Sequence, residues 1–461
     1  MNENDLMTQV VALCKRRGFI FPSSEIYGGL ANAYEYGPLG VELKRNIKNL
    51  WWKTFIHDRI DMLGLDSSII VHPKTWEASG HINSFSDPLV DCKNCQRRTR
   101  ADHLIENYYA QKQEPRLVEG LPIEELQKII EKEQIACPYC GEFQWTPVRK
   151  FNLLFETSIG IVPESESKAY LRGETAQGIF LSFKNILDST RVKLPFGIGQ
   201  IGKSFRNEIT LGNFIFRTLE FEQAEIEYFF DPQNSNWEEL FDNWQEAMWQ
   251  FVTTQLGIGK NNLRWREHTD EERSHYSLRT VDLEYNFPFG FKELWGLAYR
   301  TDYDLKQHME YSGQDLRVTD SSDGRKYIPH VIEPAVGINR LLLMVLLEFL
   351  WQDEANDRLV LKLPYQLAPY KAAVFPLLRN KPELVAKAES VFKLVQSAMP
   401  TTWDDRGNIG KRYLSQDEIG TPYGVTVDFQ TLEDDTVTIR QRDTTKQARV
   451  KIDELLAELD A

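Results

Sequence analysis

An α+β fold is predicted: an antiparallel β-sheet flanked by helices, with a cysteine-rich insertion and a small C-terminal α/β domain. Three observations carry this. Residues 150–360 alternate strand-like runs with turns. Apolar residues at helical spacing frame that stretch, at residues 40–60 and at 341–350. Beyond it, the chain alternates between strand and helix patterns.

Taken in order, Val41, Leu43, Ile47, Leu50, Trp51 and Phe55 recur at helical spacing, with Lys44, Arg45, Lys48 and Lys53 between them. A helix over 40–60 is expected after the break Gly37-Pro38-Leu39-Gly40. Ser67 to Val71 is a β-branched run ending at Pro73 and reads as a strand. Cys92-x-x-Cys95 opens a separate unit and Cys137-x-x-Cys140-Gly141 closes it, with a charged helix over Pro122 to Ile135 between. Trp237, Phe241, Trp244, Met248 and Phe251 form a helical stripe that reads as core packing. Leu341 to Leu350 reads as a buried helix, and residues 358–369, with Pro364 and Pro369, as a linker. Then come a strand (Ala372 to Pro376), a helix (Pro382 to Ala398), strands at Tyr423 to Phe429 and Thr436 to Arg442, and a closing helix from Val450 to Leu459. The expected parts are 1–90, 91–150, 151–360 and 368–461.

The composition, 42% hydrophobic and 26% charged over 461 residues, excludes a disordered chain. Glu348 interrupts the longest apolar run, so no membrane span is expected. The N-terminus is acidic and lacks the apolar core of a secretory signal, so a cytoplasmic protein is expected. A net charge of −14 excludes a general polyanion binder; any nucleic acid must be held by local patches. Two C-x-x-C pairs in such a protein suggest a metal. Each knuckle offers two thiolates, so Cys92, Cys95, Cys137 and Cys140 can complete a tetrahedron around Zn²⁺, a structural site with no open position.

Gly197-Ile-Gly-Gln-Ile-Gly202-Lys203-Ser204 satisfies a phosphate-loop pattern. A phosphate loop needs a helix starting immediately after it, to aim N–H groups at the phosphates. Phe205-Arg206-Asn207-Glu208-Ile209-Thr210 instead alternates as a strand does, and Leu211-Gly212-Asn213 reads as a turn. The motif is rejected, and its glycines are read as a turn leading into a strand. Phe214 to Glu227 then reads as the antiparallel partner. In a strand, residues two apart share a face. Arg206 and Glu208 share one, as do Arg217, Leu219, Phe221, Gln223 and Glu225. Two arginines, an aromatic ring and carboxylates on one surface suit a nucleotide: arginine grips phosphate, the ring stacks on a purine, and glutamate accepts from the adenine amino group.

These residues resemble motif 2 of the class II aminoacyl-tRNA synthetases. The helix from Val41 and the strand ending at Pro73 resemble motif 1, the dimer-forming element. Glu333-Pro-Ala-Val-Gly337-Ile-Asn-Arg340 resembles motif 3. Further segments are similar to glycyl-tRNA synthetases of the single-chain, homodimeric type: Tyr34 to Gly40, Trp76-Glu-Ala-Ser-Gly80-His81, Arg172-Gly-Glu174-Thr175-Ala-Gln177-Gly, Glu293 to Leu305, and Val437-Thr-Ile-Arg440-Gln-Arg442-Asp443. The resemblance covers nearly the whole chain. It implies a class II synthetase catalytic core, a zinc-knuckle insertion and a C-terminal anticodon-binding domain. It also implies an enzyme that activates glycine with ATP and passes it to the 3′ end of tRNA(Gly).

The resemblance also implies roles. Arg206 holds the α-phosphate and the glycine carboxylate side, Glu208 reads the adenine amino group, and Phe221 stacks on the ring. Arg340 covers the other ring face or reaches the γ-phosphate, and Arg217 meets the outer phosphates. Glu333 and Glu293 are candidates to hold Mg²⁺ with ATP. Glu174 and Glu225 take the ammonium of glycine, with Arg300 close by. The family has serine where Ala335 stands, lying against the glycine Cα; Gly173 and Glu35 also depart from the family pattern. Residues from 368 on carry 13 basic and 15 acidic side chains. RNA contact there is expected from a local stripe of Thr438, Arg440 and Arg442 on one strand face. Two rival readings remain: a class II synthetase for another small amino acid, and a non-catalytic synthetase-like subunit that binds nucleic acid.

Overall fold

The computed structural model describes residues 3–116, 118, 120–160, 167–208, 212–270, 272–273, 277–320 and 322–459. The chain enters through helix α1 (Glu3–Arg17) and reaches helix α2 (Pro38–Trp52). Pro38 sits in the first turn, where a missing N–H costs nothing. Gly40 passes so close to Phe19 that an added Cβ would lie 1.9 Å from its carbonyl oxygen. α2 buries Leu43, Ile47 and Trp51, widens over Lys53–His57 and leads to strand β1 (Met62–Gly64). The insertion follows: β2 (Ser86–Asp91), β3 (Arg98–Arg100), α3 (Ala101–Gln111), α4 (Ile123–Lys132) and β4 (Arg149–Asn152). It has its own core of Val90, Leu104, Ile105, Leu126, Ile130 and Trp145.

After α5 (Ala176–Ser189) the main sheet is laid down: β5 (Phe196–Phe205), β6 (Glu220–Phe230), then α6 (Trp237–Gln250), β7 (Leu263–Glu267), β8 (Arg279–Phe287), β9 (Gly290–Thr301), α7 (Tyr303–Ser312), β10 (His330–Gly337) and α8 (Ile338–Phe349). Among the described residues the sheet has seven strands, ordered β7-β8-β9-β10-β6-β5-β1. All pairings are antiparallel except that of β1 with β5.

Alternation partitions this sheet. Ala224, Ile226 and Tyr228 of β6, Val281 and Leu283 of β8, Trp295 and Leu297 of β9, and Ile332 and Val336 of β10 point to the back, where α2, α6 and α8 cover them. Phe55, Trp244, Phe251 and Trp295 interlock there at ring-centroid distances of 5.2–6.1 Å. The intervening residues, among them Gln223, Glu225, Asp282, Arg300 and Glu333, face front. α5 covers one end of that face through Phe180 and Phe183, and the rest stays open as a cleft.

A hairpin, β11 (Leu350–Asp353) with β12 (Arg358–Leu361), leads to β13 (Ala372–Pro376), α9 (Pro382–Ala398), β14 (Thr401–Trp403), α10 (Ile409–Ile419), β15 (Tyr423–Val427), α11 (Phe429–Asp434), β16 (Thr436–Gln441), β17 (Gln447–Lys451) and α12 (Leu455–Leu459). The five strands order as β14-β13-β15-β16-β17. None of the described helices is long and apolar enough to cross a membrane.

Several expectations are corrected. Ser67–Val71 is no strand: the Ser67 N–H goes to Gln200 Oε1 and its carbonyl to Arg172, leaving one bridge, Ile70 with Leu171. The strand beside the sheet is β1. β5 stops at Phe205, because the Asn207 N–H turns to the Leu153 carbonyl. The expected strand residues Ile209 and Thr210, and Leu211 of the expected turn, lie outside the described residues. Phe214–Phe216 is a single helical turn, entered with positive φ at Asn213 and Phe214, so β6 starts only at Glu220. The supposed linker holds strand β12 and a turn at Tyr365–Leu367. Val450 and Lys451 close β17, and the last helix begins at Leu455. The residues of α10 and β14 were not read as elements from the sequence.

The phosphate-loop glycines lie inside β5, not in a turn. An added Cβ would meet Met62 Sδ at 2.4 Å from Gly197, Ile56 Cδ1 at 2.4 Å from Gly199 and Arg172 Nη2 at 2.2 Å from Gly202. These glycines make room for neighbours, and Lys203 pairs with Glu220 on the adjacent strand. Gly199→Ala should therefore destabilise the chain by about 1–3 kcal/mol. Lys203→Ala, at a half-exposed position, should stay within about 0.5 kcal/mol of the parent, both variants being compared by urea unfolding.

Candidate active site

A cavity of about 500 Å³ opens on the front of the main sheet. Its floor is one cross-strand row: Asp282 lies opposite Gly296, Gly296 opposite Ala335, Ala335 opposite Glu225, and Glu225 opposite Gln200. Directly paired residues share a face. The floor is therefore low at Gly296 and Ala335 and walled by carboxylates at Asp282 and Glu225. A Cβ added at Gly296 would lie 3.7 Å from Asp282 Oδ1 and 3.9 Å from Glu293 Oε1, so it fits without a clash but fills floor space.

The acidic end is heavily wired. Glu225 Oε2 accepts the Thr175 N–H (2.8 Å) and hydroxyl, and its Oε1 accepts Gln223 Nε2 (2.9 Å). Glu174 lies 3.2 Å from His81 Nε2 and accepts Gln177 Nε2 at 3.1 Å. Gln177 also donates to Asp304 and meets His308 Nε2, both at 2.9 Å. Arg300 grips Asp304 through two nitrogens (2.8 and 2.9 Å) and Glu333 through a third (2.8 Å). Glu227 is wholly buried, with neither oxygen hydrogen-bonded to a described residue. Burial raises Glu225, Glu227 and Glu333, and neighbouring carboxylates add to it. Burial pushes Glu174 the same way, but His81 and then Arg300 outweigh it and hold Glu174 below the usual range. Five carboxyl groups round one guanidinium form a strong receptor for a small cation.

The opposite rim is cationic. Arg206 donates to the Gly173 carbonyl (3.1 Å), and its guanidinium lies 5.3 Å from the Phe221 ring and 5.0 Å from the Phe85 ring. Arg217 lies 3.7 Å from Glu208. Arg340, stacked 4.4 Å over Phe216, reaches the Glu293 carboxylate and carbonyl, both at 3.0 Å. Arg206, Glu208, Arg217, Phe221, Glu293 and Arg340 all line the cavity, as do Glu174, Glu225, Glu333 and Ala335. Three arginines facing one aqueous cavity suit a polyphosphate.

Two expectations differ from the structure. Arg300 does not line the cavity; it is 2% exposed, behind Glu333. Arg440 and Arg442 form no stripe open to RNA. Arg440 grips both oxygens of Asp417 at 2.8 and 2.9 Å, and Arg442 donates to the carbonyls of Gly420 (2.8 Å) and Leu363 (2.9 Å). Both are buried against neighbouring elements, which single-strand periodicity does not register. The sequence reading missed His268 and Asp282, and gave no role to Gln223, which it placed on the strand face, or to Gly296, which lies in the segment from Glu293 to Leu305. Asp282 was detectable as a polar residue alternating with apolar ones; His268 carried no local signal.

The four insertion cysteines cluster, every sulfur within 4.8 Å of the others. Cys92 and Cys140 lie 3.6 Å apart, and Cys95 and Cys137 3.7 Å. Tetrahedral Zn–S bonds of about 2.3 Å call for edges of about 3.8 Å, so the donor set fits Zn²⁺. Each knuckle turns through a left-handed residue just after its second cysteine, Gln96 and Gly141. The Glu142 N–H pulls the Cys140 thiol down to about 6.

Comparison with known proteins follows this geometry. Residues 155–349 match the tRNA synthetase class II core domain (G, H, P, S and T), residues 371–461 the anticodon binding domain, and residues 116–153 the glycyl-tRNA synthetase insertion domain 1. The fold and cleft are those of a class II synthetase, a class that uses ATP and a divalent metal ion. The glycine–tRNA ligase of Caldanaerobacter subterraneus subsp. tengcongensis is 51% identical over 97% of this chain and 96% of its own. Those of Clostridium tetani (51%; 99% and 98%) and Geobacillus thermodenitrificans (50%; 100% and 99%) are similarly close. The chain belongs to the glycine–tRNA ligase family.

His268 meets Asp282 at 2.7 Å beside the cavity, and that hydrogen bond and charge raise the imidazole pKa. A raised folded value means that the pair stabilises the fold below about pH 6.5 and that this is lost as pH rises through the folded pKa. In an NMR titration the His268 ring should titrate above an ordinary histidine, and Asp282→Asn should bring it back down.

Proposed function

We propose that this chain joins glycine to tRNA(Gly) in two steps. A carboxylate oxygen of glycine attacks the α-phosphorus of ATP and the bond to pyrophosphate breaks. A 3′-terminal ribose hydroxyl of the tRNA then attacks the carbonyl carbon of the adenylate and AMP leaves. Neither step needs a protein nucleophile. The chain's task is to hold reactants in line and neutralise charge. The observation that carries the reading is the floor row, in which Gly296 and Ala335 lie between Asp282 and Glu225. It has room for an amino acid without a side chain and carboxylates for its ammonium.

In this reading Glu174 and Glu225 bind the ammonium, Arg300 steadies Glu333 from behind, and Ala335 with Gly296 keeps larger amino acids out. Arg206 holds the α-phosphate and the glycine carboxylate, and Arg217 the outer phosphates. Phe221 stacks on adenine, Glu208 accepts from its amino group, and Arg340 closes over the ring or reaches the γ-phosphate. Mg²⁺ supplies charge neutralisation to the phosphates when bound. Glu293 fits as its partner: its carboxylate is half exposed at the rim, and Arg340 outweighs burial to lower it. Glu333 fits less well, being buried and raised by that burial, with one oxygen committed to Arg300.

The proposed parts are a catalytic region (1–90 and 151–360), a zinc-stabilised insertion (91–150) and an anticodon-binding domain (368–461). The thiol spacings support structural Zn²⁺. Reduced cysteines suit the cytoplasm, the proposed location. Association with a second copy is supported by Ile26, Tyr27 and Leu30, 88%, 86% and 58% exposed in a loop preceding α2. Apolar groups bared to this extent suit an interface.

ATP–pyrophosphate exchange without tRNA tests the reaction. Glycine should support exchange and alanine and serine should not, whereas exchange with none of the three by the folded protein would overturn the reading. Arg206→Ala should lower exchange by roughly 10²-fold or more. Gly296→Ala should keep the melting temperature yet raise the KM for glycine about tenfold or more, since forcing a methyl into a filled pocket costs about 1–3 kcal/mol. Metal analysis should find one zinc per chain, and Cys137→Ser should lose it and loosen the insertion before the main sheet.

A further inference from the structure

Helix α10 joins the C-terminal module to the body that carries the cleft. On its outer side Glu418 pairs with Arg17 and Arg16 of α1, and the Ser415 hydroxyl accepts Arg17 Nη1 at 3.2 Å. On its inner side Asp417, 1% exposed, accepts from two arginines of different origin. Arg440 of β16 belongs to the same module. Arg358 of β12 comes from the hairpin after α8 and reaches Asp417 Oδ2 at 2.8 Å. Arg358 also grips Asp353 of β11 (2.8 Å) and the Arg442 carbonyl (2.8 Å). Arg442 in turn reaches back to the Leu363 carbonyl. Gly420, which ends α10 with φ +82°, lies so near the same segment that a Cβ would meet the Leu361 oxygen at 3.1 Å. The segment is also tied from the other side: Asn46 of α2 donates to the Leu367 and Ala368 carbonyls, both at 3.1 Å.

A buried network of two carboxylates and two guanidinium groups is a poor way to gain stability, because desolvation consumes most of the attraction; apolar packing of equal volume often does as well. What it adds is direction. Arg358 can satisfy Asp353, Asp417 and the Arg442 carbonyl together only in one relative pose of hairpin and module.

We infer that Asp417, clamped between Arg358 and Arg440, is a positioning residue for the RNA step: it fixes the module that matches the anticodon binding domain relative to the cleft, so that a tRNA held at one end presents its 3′ end at the other. This rests on the ligase reading above. It makes Arg440 and Arg442 braces of the joint.

The test uses the full chain and two assays. ATP–pyrophosphate exchange with glycine needs no tRNA and reads the cleft alone; charging of tRNA(Gly) reads cleft and module together. Arg358→Lys keeps a cation but lacks the planar fork that reaches Asp353 through Nε and Asp417 and the Arg442 carbonyl through Nη1, and it leaves the module's own Asp417–Arg440 pair intact. Exchange should stay within about twofold of the parent, while kcat/KM for tRNA falls roughly tenfold or more, as expected when a distant change misplaces a reactant. Amide protection in β16 should persist, showing that the module stays folded. Asp417→Asn should behave likewise with a larger loss, and if it does not fold, Arg358→Lys carries the test. Charging at parental efficiency by Arg358→Lys, or exchange and charging falling in proportion, would overturn the inference. A parent protein inactive in exchange would instead overturn the ligase reading.

Discussion

Five carboxyl groups gather around the guanidinium of Arg300, and the site depends on that imbalance. Arg300 satisfies Asp304 and Glu333 directly and, through Asp304 and Gln177, steadies Glu174. Glu225 is held by Thr175 and Gln223 without a cation, and Glu227 has no partner among the described residues. Burial and mutual repulsion raise Glu225, Glu227 and Glu333, so protons relieve part of the imbalance; a cluster of carboxyl groups buried at that cost is not there for stability. It persists because the sheet's back face is almost wholly apolar, and the packing of Phe55, Trp244 and Trp295 against α2, α6 and α8 outweighs the strain in front. An arriving ammonium would favour the ionised carboxylates over their protonated forms. In the proposed reaction, affinity for a very small substrate comes from these acidic groups, since glycine offers no side chain to bury.

The same alternation that separates apolar from charged also sets the size limit. Asp282, Gly296, Ala335 and Glu225 come from four strands and meet only because their registers align. A shift by one residue on any strand would send its polar residue to the apolar core and a large apolar one to the cleft. The aromatic packing behind the sheet therefore guards register as well as stability. It links the specificity expected of the cleft to side chains that never touch it.

Much of this was legible in the sequence, and the gaps have physical causes. Phe221 and Glu225, placed on one strand face by their spacing, and Glu333 and Arg340, singled out by the resemblance to motif 3, all line one cavity. The cysteine knuckles were legible because two short spacings and a tetrahedron leave little freedom. The strand expected at Ser67–Val71 failed because side chains of Gln200 and Arg172, remote in sequence, take the backbone groups that a neighbouring strand would have used. The glycines of β5 were misread as a turn because their reason is the volume of Met62, Ile56 and Arg172 beside them. Gly296, within a motif segment, was given no role because the absence of a side chain matters only once the floor it lowers exists.

The arginines carry the sharpest version of that lesson. Arg206, Arg217 and Arg340 face the cavity; Arg300, Arg358, Arg440 and Arg442 are buried and committed to carboxylates or carbonyls. In the sequence both kinds stand in alternating patterns beside aromatic or β-branched residues, and no local rule separates them. What separates them is burial together with the partner: Asp417 holds Arg358 and Arg440, and Asp304 holds Arg300, inside the fold, whereas Arg217 and Arg340 meet Glu208 and Glu293 in the lining of the open cavity. In a chain with net charge −14, binding a polyanion falls to local groups, here Arg206, Arg217 and Arg340 in the cleft. Burial thus divides the arginines: those enclosed with their carboxylates or carbonyls hold the fold, and those that line the cavity remain open to an anion.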